Sequence, residues 1–235
     1  MENEFLNGKT HRRQFLTGVS NTAAAIGLST LVTPLQLHAQ PFLNKMAVDT
    51  DDPDQWFNKI TGKHKIVFDA TRPHEVYPFA WPRVYLITNE KTGTPNKDNS
   101  VVVVLRHEAI PYAFENKLWE KYKFGEVFKA EDPKTKAPST RNPFWMPGSD
   151  DFKIPGIGSV KIGINQLQAD GVLFCVCNMA ITVFTAAVGQ KLGIDAEEVK
   201  KDWLSGLLPG VQVVPSGVWA VGRAQEHGCT YCFAG

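Results

Sequence analysis

The residues best suited to group-transfer chemistry are four cysteines, Cys175, Cys177, Cys229 and Cys232, all in the last third of the chain. A structural disulfide framework belongs to a smaller chain with cysteines spread along it, so this clustering points to local thiol chemistry. In Phe174-Cys175-Val176-Cys177-Asn178, a buried apolar strand (Val172 to Val176) runs toward a helix (Ala180 to Leu192). Cys177 stands at that junction. Ligands of open α/β sheets gather outside the carboxyl ends of the strands. A helix N-terminus carries partial positive charge, which favours a thiolate. Position alone serves a reactive thiol and a packed core thiol at Cys177 equally well. Cys175, two residues back on the same strand face but deeper, reads as an inert core thiol.

Three further constellations carry weaker signals. Cys229-Thr230-Tyr231-Cys232 has C-x-x-C spacing, but on an expected strand, where that spacing puts the thiols on opposite faces. The redox use of the motif needs a helix start. In an oxidising compartment a Cys229–Cys232 disulfide is compatible with the spacing, and four converging thiolates would make a metal site. No second C-x-x-C supports the metal reading. Arg106-His107-Glu108 follows a strand of four valines, where His107 is placed to assist as acid or base or to hold Cys177 as thiolate. A capping or ion-pairing trio explains the same residues. Gly156-Ile157-Gly158-Ser159 reads as an anion-binding helix start or as a plain turn. His64, His74 and His227 have no partner at ligand spacing, and the glycine fingerprints of dinucleotide sites, P-loops and nucleophile elbows are missing.

The elements that must position these residues follow from periodicity and punctuation. Strands are expected at 65–69, 100–105, 172–176, 211–214 and 229–233. Helices are expected at 77–91 (apolar at Trp81, Val84, Tyr85 and Thr88), 110–122, 160–169, 180–192, from Asp195, and at 216–226 with Gly228 as its C-terminal glycine. Residues 124–155, rich in Pro, Lys, Asp, Ser and Thr, read as a long loop or insertion. Within it Asn142-Pro143-Phe144-Trp145-Met146-Pro147 is too apolar for a free tail and suits a packed flap or a subunit-contact arm. Strands alternating with helices predict an α/β fold: an open, mostly parallel sheet of about five strands with helices on both faces.

The N-terminus predicts where the protein works. Arg12-Arg13-Gln14-Phe15-Leu16, a weakly apolar stretch from Ala23 to Leu37, and Leu37-His38-Ala39 form a twin-arginine export signal with a small-residue cleavage site. The stretch is 15 residues, short of the ~20 that span a bilayer. A periplasmic protein with no membrane anchor after cleavage is expected. Cleavage after residue 39 leaves 196 of 235 residues, with 22 basic and 22 acidic side chains. That balance gives no basic excess for nucleic acid or an anionic membrane. Residues 40–62 read as a linker and a short helix anchored by Trp56-Phe57, and 63–235 as the α/β domain.

From Asp170 onward the chain resembles the DsrE/DsrF-like family of sulfur-relay proteins. The matching pieces are 171–178, Leu208-Pro209-Gly210-Val211, Val214-Pro215-Ser216-Gly217-Val218, Arg223-Ala224-Gln225 and Gly228. Val101 to His107 resembles the family's second strand and the following loop. The resemblance implies an oligomer, often trimer or hexamer, and a cysteine after the third strand that carries persulfide sulfur. Cys177 occupies that position. Such chemistry needs no metal or nucleotide cofactor: a thiolate takes a sulfane sulfur and passes it to another thiol. The partners implied are a sulfur donor or acceptor protein or a small sulfur compound. The export signal, the insertion and the C-terminal cysteine pair depart from the cytoplasmic relay proteins. They leave two alternatives: an exported metal- or cofactor-binding protein, and a non-catalytic oligomeric interaction module.

Overall fold

The computed structural model describes residues 52–154, 156 and 158–235. The export signal expected over 1–39 and the first part of the linker lie outside the described residues. The linker ends in a 3-10 turn, Gln55–Lys59, with Trp56 and Phe57 buried.

Strand β1 (His64–Ala70) leads through helix α1 (Tyr77–Lys91) to β2 (Asn99–Leu105). A 3-10 segment (His107–Ala113), α2 (Asn116–Tyr122) and α3 (Phe124–Val127) follow. After the insertion come a small hairpin of β3 (Lys153–Ile154) and β4 (Gly158–Ser159), then α4 (Ile164–Ala169) and β5 (Leu173–Cys177). The chain closes with α5 (Asn178–Leu192), α6 (Ala196–Ser205), β6 (Val211–Val214), α7 (Gly217–Glu226) and β7 (Thr230–Phe233). The main sheet has five strands, all parallel, in the order β6-β5-β2-β1-β7. The expected fold class is therefore the observed one.

Strand β2 is buried along its whole length because both sheet faces are covered. Its alternate side chains feed two cores. Val101, Val103 and Leu105 join Phe68, Phe79, Phe174 and the aromatic residues of the insertion. Val102 and Val104 join Val67, Cys175, Ala220 and Ala224 beneath α7, with Trp56 and Phe57. Helix α7 packs on β1, β2 and β5 as the chain returns from edge strand β6 to the opposite edge, β7.

Several local expectations change. Helix α1 buries Phe79, Pro82, Arg83 and Leu86 and leaves Trp81 and Val84 exposed. Arg83 goes inward because Asp170 pairs with it at 2.7 Å and the Lys161 carbonyl accepts from its Nε. The single helix expected over 110–122 is split, because Pro111 cannot donate and restricts Ile110 before it. Helix α4 starts at Ile164 rather than Val160. Gly163 caps it, and the Gln166 Oε1 accepts from the Gly163 N–H at 2.9 Å. The insertion is largely packed: Phe124, Phe128, Phe144 and Phe152 are core residues. The segment 142–147 is held down by Asn142, whose Nδ2 donates to the carbonyls of Tyr112 (2.9 Å) and Phe114 (3.0 Å). Gly156 lies in the turn of the β3–β4 hairpin and Gly158 begins β4, so neither opens a helix.

Candidate functional site

The carboxyl ends of the five strands form one edge of the sheet, and the chemistry-bearing residues collect there. Cys177 is the last residue of β5 and the N-cap of α5. Its Sγ accepts from the Ala180 N–H at 3.2 Å. The thiol thus takes the place usually filled by a Ser or Asp oxygen. That hydrogen bond sets the sulfur at the N-terminus of a 15-residue helix. Cys177 is buried, with 6% of its surface exposed.

The second feature is a polar cluster around Asp69, near the end of β1. Asp69 is buried, and Arg106, which follows β2, embraces it with two hydrogen bonds: Nε to Oδ1 at 2.6 Å and a terminal nitrogen to Oδ2 at 2.9 Å. Such a paired, charge-assisted grip fixes the guanidinium plane. The hydroxyl of Tyr231 on β7 donates to Asp69 Oδ2 at 2.9 Å. The Arg106 pKa is raised, chiefly by the hydrogen bond to Asp69; Tyr231 and Cys177 contribute as neighbouring groups that are negative when ionised. Arg106 thus stands within electrostatic reach of Cys177. It is also wedged against Gly217, where any side chain would run into its methylenes. Gly217 opens α7, and the Ser216 Oγ caps that helix by accepting from the Trp219 N–H at 3.2 Å. The edge therefore carries two helix N-termini, a fixed guanidinium and a thiol.

The other expected residues sit elsewhere. His107 is exposed in a left-handed backbone conformation, with its ring edge-on to Phe184, 6.0 Å between centroids. Of the trio, Arg106 takes the ion-pairing role. Cys175 does not share the surroundings of Cys177: it lies in the core beneath α7, whereas Cys177 packs with the opposite core. The backbone turns into the helix at Cys177 and ends the strict alternation. Burial pushes the Cys175 thiol pKa far up.

All four cysteines are free thiols. Cys229 is buried under α7, and Cys232 packs toward the other face. This disposition separates the pair by the sheet and leaves the C-x-x-C without the disulfide that its spacing allowed. Burial pushes the Cys229 pKa up to about 11 and also raises that of Cys232. Among the described residues no group of three or more His, Cys, Asp or Glu is arranged to hold a metal ion.

Sequence reading missed Asp69 and Tyr231. A signal for Asp69 existed: an acid ending the apolar run Ile66-Val67-Phe68 at a carboxyl end. Tyr231 lay inside the C-x-x-C and was overshadowed by its cysteines.

No protein-family model matches the chain, and no curated protein matches it. A solved structure similar to it is that of MTH1491, a protein of unknown function from Methanobacterium thermoautotrophicum. The two share 16% identity with a TM-score of 0.38, over 73% of this chain and 99% of that one.

Proposed function

We propose that this protein is an exported, DsrE-like sulfur carrier in which Cys177 holds sulfane sulfur as a persulfide. The observation that carries this reading is the Cys177 Sγ itself, which caps α5 through the Ala180 N–H with Arg106 in electrostatic reach. Both features set a hydrogen-bond donor or a cation beside the sulfur that, as thiolate, attacks sulfane sulfur. With thiosulfate as donor, the thiolate attacks the outer sulfur. The sulfur–sulfur bond of thiosulfate breaks, sulfite leaves with the electron pair, and a Cys177 persulfide remains. An acceptor thiolate then attacks the outer sulfur and returns Cys177 as thiolate. No net oxidant is required in either step. The expected twin-arginine signal supports an address outside the cytoplasm, and the family resemblance supports an oligomeric assembly.

Intact-mass and peptide mass spectrometry after exposure to polysulfide or thiosulfate test the reading. A Cys177 adduct of one sulfur atom, about 32 Da, is the expected product. It vanishes in Cys177→Ser, a variant that keeps a helix-capping side chain. No adduct with either donor, or one that survives the substitution, overturns the proposal.

A further inference from the structure

We propose that the cavity beside the carboxyl end of β1 is a binding site for a small organic carboxylate, separate from Cys177. The chain runs outward from β1 through β2, β5 and β6, then returns to the other side of β1 as β7. The cavity lies beyond the carboxyl end of β1, the end of the strands at which open α/β sheets bind ligands. Here the loop after β1 and the insertion enclose a cavity of about 420 Å³, within the range of small-molecule sites.

The floor holds a polar group with nothing to bind. Tyr112 lines the cavity and is 1% exposed, clamped by Phe79, Trp119 and Phe144. Its hydroxyl has no hydrogen-bond partner among the described residues, yet it is not one of the sealed unpartnered polar atoms. The sliver of Tyr112 that stays open is accordingly its hydroxyl, facing the cavity it lines. Burial raises the Tyr112 pKa, so the group is a fixed O–H donor at neutral pH. A buried donor left unsatisfied is costly, and a ligand oxygen relieves that cost.

The rim supplies charge and strain. Four lysines (Lys129, Lys134, Lys136 and Lys153) and three carboxylates (Glu75, Glu131 and Asp151) line the rim. Lys134 is held by Asp151 at 2.7 Å and Lys153 by Asp150 at 3.5 Å. Lys129 and Lys136 make no ion pair among the described residues and are the cations placed to meet a ligand. Glu75, Lys129 and Lys136 all have left-handed backbone, with φ of 48°, 53° and 60°. Three non-glycine residues in this costly conformation on one rim mark a shape maintained for use. Phe152, Val76 and Pro73 add apolar surface, which favours an organic body over a bare inorganic anion.

Isothermal titration of the full-length protein with benzoate, benzamide and sodium sulfate tests the site. Benzoate is expected to bind saturably, and benzamide and sulfate at least about tenfold more weakly. Tyr112→Phe is expected to weaken benzoate about tenfold or more, because a hydrogen bond to a charged group is lost. If Tyr112→Phe does not fold, the exposed pair Lys129→Ala and Lys136→Ala gives the same reading and removes most of the salt dependence. Absence of saturable benzoate binding, equal or tighter binding of sulfate or benzamide, or affinity unchanged in the folded variants overturns the proposal. Because Cys177 is not involved, the benzoate affinity of Cys177→Ser is expected to equal that of the parent protein; a changed affinity overturns the separateness of the two sites.

Discussion

Replacing Arg106 by Met tests the centre of the site. The Asp69 side chain is 3% exposed and that of Arg106 27%. Removing one member of a buried pair costs about 3–5 kcal/mol, because the other charge stays behind unpaired. Two features reduce that figure here. Water already reaches part of the guanidinium, and Tyr231 continues to donate to Asp69 Oδ2. The expected loss is about 2–3 kcal/mol. With a urea slope of about 2 kcal/mol per molar, the unfolding midpoint falls by about 1–1.5 M. Adding Asp69→Asn to Arg106→Met removes the stranded charge and is expected to restore at least about half of the loss, giving a coupling of about 1–2 kcal/mol. Iodoacetamide labelling in the native state supplies a second readout. Cys177 is expected to react more slowly in Arg106→Met, since a positive charge near its thiolate is gone. A midpoint shift below about 0.3 M, or strictly additive single and double substitutions, refutes the buried-pair reasoning. An unchanged labelling rate refutes the link from Arg106 to the thiol.

Two other perturbations probe the framework. Asn142→Leu strands the carbonyls of Tyr112 and Phe114 and the Phe144 N–H that Asn142 Oδ1 accepts at 3.1 Å. The expected cost is about 2–4 kcal/mol, a fall in Tm of roughly 5–15 °C by calorimetry, and a Tm within a degree or two of the parent contradicts the pinning role of this side chain. The buried Cys229 thiol, with its pKa pushed from 9.0 up to about 11, binds its proton more tightly folded than unfolded. Its stabilising contribution is therefore complete below about pH 9 and is lost as pH rises through 11. Between pH 8 and 11 the urea midpoint of the parent is expected to fall more steeply than that of Cys229→Ala; parallel slopes contradict it.

What the sequence made legible was local or periodic, and what it hid was carried by long-range contacts. The valines of β2 announce a strand buried on both faces, since a short run of β-branched residues apolar on every side suits the interior of a parallel sheet. The helix start expected at Asp195 is equally local: its side chain accepts from amides two and three residues on. Helix α1 resisted the same method. Its sequence offers Trp81 and Val84 as core residues, and only the carboxylate of Asp170, supplied from far along the chain, explains why Arg83 is buried instead. Cys177 could be placed at a strand–helix junction from its neighbours alone. Its neighbour Arg106 takes its orientation from Asp69 on another strand. Tyr231 reaches Asp69 across 162 positions of sequence, a contact that only the return of the chain to β7 creates. The order of strands is thus what turns separately unremarkable residues into a site: with β7 beside β6 instead of β1, the same Tyr231 would have no carboxylate to hold. A side chain's neighbours at this edge follow from which strand it ends on, which is why the cysteine was readable first and the groups around it only afterwards.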